Sequence, residues 1–189
     1  MGTTITTIER LEAFWPGSTS AGTAAANALA AATEYIQTQT GRDIVTTTYT
    51  NEMYRGDGTA LLRLNNWPIQ SISSLTVGGV TWSVLGPTYA ADTGQQAFVP
   101  STGSWLEARG SYLFTEDSIV VASYMAGYSP VPEDLQQVCA MLARLVLEER
   151  NRLGITTKSL GPEQINMVAR NSDDYQFIKD TLDYYARAF

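Results

Sequence analysis

Hydrophobic positions change their period along this chain, and the changes mark its elements. Between Tyr124 and Gly154, Leu135, Val138, Cys139, Met141, Leu142, Leu145 and Val146 recur at three- and four-residue steps, which predicts a long helix with one broad apolar face. Gln136, Arg144 and Glu148 fall opposite. Pro132 suits the first turn, where its missing N–H would have no intrahelical partner. Glu133 and Asp134 then meet the positive end of the helix dipole. Ahead of the helix, Ile119 to Tyr124 reads as a strand, the chain breaks at Gly127, and Ser129-Pro130-Val131-Pro132 makes the turn. The helix from Leu135 to Leu153 is the expected spine of the core.

Two helical stretches come first. Ile5, Ile8, Leu11, Phe14 and Trp15 keep helical spacing up to Pro16-Gly17-Ser18. A second helix is predicted from near Ser20 or Thr23 to Thr40, with Ala25, Leu29, Ala32 and Ile36 sharing a face with Ala28 and Tyr35, and Gly41 at its C-cap. From Arg42 the period drops to two, in a threonine- and aromatic-rich run suited to strands. Further strands are predicted at Leu61 to Leu64, Ile72 to Val77, around Val80, Trp82 and Val84 after a Gly78-Gly79 turn, and at Trp105 to Ala108. Residues 86–104 read as a long irregular loop and the stretch after Gly154 as a polar linker. A last helix starts from a Ser172 N-cap, with Ile178, Leu182, Tyr185 and Phe189 on one stripe and Phe177 and Tyr184 beside it. The predicted class is α+β: a small helical bundle with an inserted antiparallel β-lobe. The helical core takes residues 1–43 and 128–189, and the lobe takes 44–127.

Composition narrows the chemistry. The chain has 189 residues, a net charge of −7 and no histidine, with 12 basic residues against 19 acidic ones. Gripping nucleic acid by its phosphates needs cations that release counterions, so that class is disfavoured. The commonest general base and metal ligand is missing altogether. No apolar run approaches membrane-spanning length, and the opening MGTTITTIER lacks the layout of a secretion signal, so a protein that stays in its compartment is expected. Cys139 lies on the apolar helix face and reads as a small buried hydrophobe. Glu148-Glu149 and Asp173-Asp174 are sequence neighbours that point to different helix faces, so neither pair can flank one substrate. Arg55-Gly56-Asp57 spells a receptor tripeptide, but Gly56-Asp57-Gly58 is already accounted for as a turn. No catalytic residue, metal site or cofactor is expected.

The order of these elements carries a resemblance. An alanine-rich helix ending in Thr40-Gly41-Arg42 precedes Trp67-Pro68-Ile69 with Ser71-Ile72. Ala126-Gly127-Tyr128 and Val131-Pro132-Glu133-Asp134-Leu135 come after. Over residues 22–155 this resembles the head–tail connector proteins of tailed bacteriophages, the adaptor or head-completion type of HK97-like phages. The β-lobe and the extended C-terminal segment depart from the compact all-helical members.

The resemblance implies a structural virion protein at the head–tail interface, assembled in the host bacterial cytoplasm. It would form a ring, dodecameric by analogy, under the portal protein. Such a ring completes the DNA-filled head, extends the DNA channel and offers a platform to the next neck or tail-completion protein. Genomic DNA would pass through without sequence-specific binding, and no membrane is involved. On this reading Tyr184, Tyr185, Arg187 and Phe189 are portal-docking candidates, since aromatics and arginine dominate interface energies. The bland alternative is that Tyr185 and Phe189 close the helical core. Ala140, Ala143 and Leu147 are candidates for subunit contact or for core. Glu133, Glu148 and Glu149 are candidates for a channel lining that repels phosphates at close range. Another neck or tail structural protein, or a receptor- or sugar-binding module, are the alternatives.

Overall fold

The structure, a computed structural model, describes residues 4–16, 22–85, 96–98, 103–152 and 173–186. The chain divides into two units, Met1–Gly41 with Val131–Phe189, and Arg42–Pro130.

The first unit is helical. In α1 (Ile8–Phe14), Thr7 Oγ1 accepts a hydrogen bond from the Arg10 N–H at 3.3 Å, satisfying a donor that a helix start leaves open. The second helix, α2 (Thr23–Thr40), stops at Gly41, whose φ of 71° is left-handed and whose N–H donates to the Gln37 carbonyl. The third, α3 (Glu133–Arg152), starts where the Pro132 carbonyl accepts from the Gln136 N–H at 3.1 Å, while Gln136 Nε2 donates back to the Val131 carbonyl at 2.8 Å. The fourth is α4 (Asp173–Ala186). Helix α2 packs on α3, and α4 packs on both. Leu29, Ile36, Leu135, Val138, Ile178 and Leu182 form the interior with a set of alanines, each large side chain contributing roughly 1.5–3 kcal/mol by leaving water.

Helix α3 departs from the periodic expectation in its second half. Leu145 and Val146 are 37% and 42% exposed and Met141 and Leu142 half-buried, whereas Ala140, Ala143 and Leu147 are buried. The helix is apolar on nearly every side there, so its period cannot choose a face. Ala25, Ala28 and Ala32 are buried on α2, and small side chains on both helices allow the close approach that leucines would prevent. Tyr35 and Phe14, expected on buried sides, are likewise exposed.

The second unit is two four-stranded sheets. Its strands are β1 (Thr47–Arg55), β2 (Leu61–Arg63), β3 (Ile69–Val77), β4 (Val80–Thr81), β5 (Ser83–Leu85), β6 (Gln96–Phe98), β7 (Trp105–Ala108) and β8 (Ile119–Ala126). The first sheet runs β1-β8-β3-β4 and the second β2-β7-β6-β5. Strand β8 is antiparallel to both neighbours, with Met53 and Thr76 opposite Val121, and Thr48 and Ser71 opposite Met125. Its even positions, Val120, Ala122, Tyr124 and Ala126, point inward and are buried with Leu62, Leu75, Leu106 and Phe114. The odd positions lie on the other face.

Two details of the lobe differ from expectation. Strand β6 lies within residues 86–104, read from sequence as loop, and pairs in parallel with β5 rather than antiparallel. Three residues are too few for alternation to register, and the pairing is made by backbone groups that side-chain patterns do not report.

Candidate interaction surfaces

Three residues of the motifs that carry the resemblance, Arg42, Trp67 and Tyr128, meet in the second unit. Buried Arg42 lies over the Trp67 ring, donates from Nη1 to the Trp67 carbonyl at 2.8 Å and from Nη2 to the Tyr128 hydroxyl at 3.4 Å. Aromatic faces and a carbonyl shield this guanidinium from water. The Tyr128 N–H donates to the Ile44 carbonyl at 2.8 Å, and Thr46 Oγ1 donates to the Tyr128 carbonyl at 2.9 Å. Between them Gly127, at φ 110°, lies so close to Val45 that a Cβ would stand 2.7 Å from its carbonyl carbon and oxygen. These residues hold the two chain segments of the lobe's base together. Their role is architectural.

A second polar group lies inside the lobe. Tyr124 donates to Glu52 Oε2 at 2.6 Å, Tyr54 donates to the same carboxylate, and the two hydroxyls are 2.9 Å apart. The Tyr49 ring stacks on Tyr124 at 5.0 Å and its hydroxyl donates to Asp43. Burial, then the hydrogen bond to Glu52, pushes the Tyr124 hydroxyl up to about 12. Burial raises Tyr49 and Tyr54 as well, reinforced by Asp43 and Glu52 respectively. The hydroxyls therefore stay protonated at neutral pH and act as fixed donors.

Most of the residues singled out in the sequence lie among the described ones. Tyr184 is 70% exposed, whereas Tyr185 is buried and donates to both oxygens of Asp134 at 2.9 and 3.0 Å. Tyr185 thus fastens α4 to the start of α3, the core role that was its alternative. Arg187 and Phe189 lie outside the described residues, as do the linker after Gly154 and Ser172. Ala140, Ala143 and Leu147 are interior to their own unit. Glu133 is ion-paired with Arg10, and Glu148 with Arg144 at 2.8 Å. The Glu149 side chain is outside the described ones. In the Arg55-Gly56-Asp57 turn, Gly56 is buried against the 114–118 segment and Asp57 Oδ1 accepts from the Thr59 N–H and hydroxyl, while Arg55 pairs with Asp117 at 3.3 Å.

The reactive groups are few. Burial pushes the Cys139 thiol up to about 11, against a weaker opposing contact with Thr33 Oγ1 at 3.7 Å. Among the described residues no cluster of three or more metal-ligating side chains occurs, and no helix is long and apolar enough to cross a membrane. A cavity of about 330 Å³ beside the β3–β4 turn is lined by Val77, Trp82, Tyr112, Leu113, Thr115 and Ser118 among others, with no acid, base or thiol. What sequence reasoning missed is the exposed side of β8, whose signal was present: Ile119 to Ala126 reads IVVASYMA, almost continuously apolar.

The comparisons bear on these surfaces. One solved structure of similar fold is a chain in the "Neck of empty GTA particle computed with C6 symmetry", at a TM-score of 0.52 and 18% identity, covering 85% of this chain and 77% of that one. Another is from the "Neck of native GTA particle computed with C12 symmetry", at a TM-score of 0.46 and 17% identity, covering 84% and 81%. No curated protein matches the sequence. The family of head completion proteins matches over residues 4–187. The chain therefore belongs to the head completion protein family.

Proposed function

We propose that copies of this chain form a ring, dodecameric, beneath the portal, where they complete the filled head, extend the DNA channel and seat the next neck or tail-completion protein. The observation that carries the reading is the family match across nearly the whole chain. A fold shared with a chain in a neck computed with C6 symmetry supports it. A role without catalysis fits a chain with no histidine and a cysteine thiol kept protonated at neutral pH by burial. Assembly takes place in the host bacterial cytoplasm.

The portal-docking surface is the exposed side of α4 together with the C-terminal residues beyond it. Tyr184, Tyr175 and Phe177 are exposed on α4 beside Asp173, Asp174 and Asp180. Arg187 and Phe189 continue the docking segment, and Tyr185 anchors it from beneath. A helix with aromatic anchors and carboxylates suits a groove with apolar pockets and basic walls. Glu133, Glu148 and Glu149 supply the negative charge that keeps passing DNA from sticking. Glu133 and Glu148 each have an arginine partner, which offsets part of that charge.

The test is electron microscopy of the purified chain with and without portal, together with a binding titration. Rings are expected with portal present. The Tyr184→Ala variant, whose side chain supports no core, should weaken portal binding about thirtyfold or more, the effect of losing one hot spot. A chain that never joins portal-bearing heads, in wild-type form, would overturn the reading.

A further inference from the structure

Helix α4 has two sides of different character. Ile178, Thr181, Leu182 and Tyr185 are its buried side. About a third of a turn away, Asp173, Phe177, Asp180 and Tyr184 follow one another at steps of four, three and four residues, so they stack in one stripe along the helix. All four are exposed, Phe177 at 38% and Tyr184 at 70%. The two aromatic positions lie about 10 Å apart along the axis, as do the two aspartate positions. The Tyr184 ring meets Tyr185 edge-on at 5.1 Å, and Tyr185 is tied to Asp134, so this anchor is set before any partner arrives. Asp173 has a local reason, as negative charge at a helix start. Asp180 sits mid-helix, where neither the dipole nor helix propensity favours an aspartate. Neither carboxylate forms a salt bridge among the described residues.

We infer that Asp173, Phe177, Asp180 and Tyr184 form one recognition stripe for a cationic groove on a partner protein, with two apolar pockets about 10 Å apart for the rings and basic side chains facing the aspartates. Charge selects the occupant. Duplex DNA and anionic lipid surfaces are repelled by both aspartates. A second copy of this chain, at net −7, is repelled as well. A cationic groove gains from each carboxylate, on approach and again in register. The helix's own cation, Lys179, lies on another side and leaves the stripe's charge of one sign. Asp174 and Tyr175, though exposed, lie about a quarter-turn or more from the stripe and outside the contact. The inference rests on the docking reading above for which protein carries the groove. It adds which four residues enter that groove and what lines it.

The test is a titration of the full chain against portal at about 50 mM and about 500 mM salt. Asp180→Asn should weaken binding about tenfold at the lower salt, and less at the higher, where ions already screen the pair. Asp174→Asn removes the same charge from the same helix off the stripe, and should change binding less than about twofold. Phe177→Ala should weaken binding about tenfold at both salts, because the loss is one of packing. Circular dichroism should show each variant as helical as the wild type, since each altered side chain is exposed. Stripe variants that bind like the wild type, or binding that strengthens with salt, would overturn the stripe and leave portal docking in place. Equal losses from Asp174→Asn and Asp180→Asn would also sink it, by showing a general effect of charge. A wild-type chain that binds no portal at either salt would remove the docking reading and this inference with it.

Discussion

Gly127 has no room for a side chain. A Cβ there would stand 2.7 Å from the Val45 carbonyl, at a φ of 110° that L side chains rarely adopt. Gly127→Ala is therefore expected to destabilise the lobe by about 3 kcal/mol or more, measured by urea denaturation. Protonation is legible at the same scale. The Cys139 thiol is raised from 9.0 to about 11 and Tyr124 from 10.0 to about 12, chiefly by burial. A group whose folded pKa is raised holds its proton more tightly when folded. Its stabilisation is complete below the unfolded value and is lost as pH climbs through the folded one. Stability should thus begin to fall above about pH 9, with the thiol contributing on the order of 2 kcal/mol by pH 11. Thermal melts of wild type and Cys139→Ala across that range check it, since the variant should lose less between pH 9 and 11. Burial of the cysteine was readable from its place on the apolar stripe. The tyrosine cluster was not, because Tyr124 reaches Glu52 and Tyr54 only through strand pairing.

Helix α3 sets the element scale. Leu135 and Leu145 both obey its apolar period, yet the first is fully buried and the second 37% exposed. Leu135→Ala should cost about 3 kcal/mol and Leu145→Ala under about 1 kcal/mol in chemical denaturation. Equal costs would mean that the face turned inward is not the alanine-bearing one. A polar tie fastens helix α4 to α3. Removing a hydroxyl that donates twice to Asp134, by Tyr185→Phe, is expected to cost about 2 kcal/mol. Tyr184→Phe, on the exposed side, should cost almost nothing by the same measurement. The stripe Ile178, Leu182 and Tyr185 was legible from spacing alone. Its polar partner lies 51 residues away in sequence, so no local pattern could name it.

At the scale of the whole molecule, the two units have separate interiors and separate reporters. Trp67, Trp82 and Trp105 belong to the lobe, while Cys139 belongs to the helical unit. Domains with their own cores respond separately to local damage. In a Trp15→Phe background, Gly127→Ala should lower the midpoint of the tryptophan fluorescence transition and leave the midpoint of thiol exposure in place. A common shift of both would show one cooperative unit instead. Acidity also acts at this scale: a chain of net −7 should not retard duplex DNA at physiological salt in a gel shift.

The amino-acid sequence determined the kinds and order of the elements, because helix and strand periods follow from backbone geometry over a few residues. It also determined what chemistry is missing, since a histidine that is absent cannot be supplied by folding. Tertiary structure decided which side of α3 faces inward, that residues 96–98 join a sheet, and that Arg42, Trp67 and Tyr128 converge. It also decided that β8 presents Ile119, Val121 and Met125 outward. Those outcomes depend on which partners, far away along the chain, compete for each surface, and the packing of small side chains against one another settles that competition.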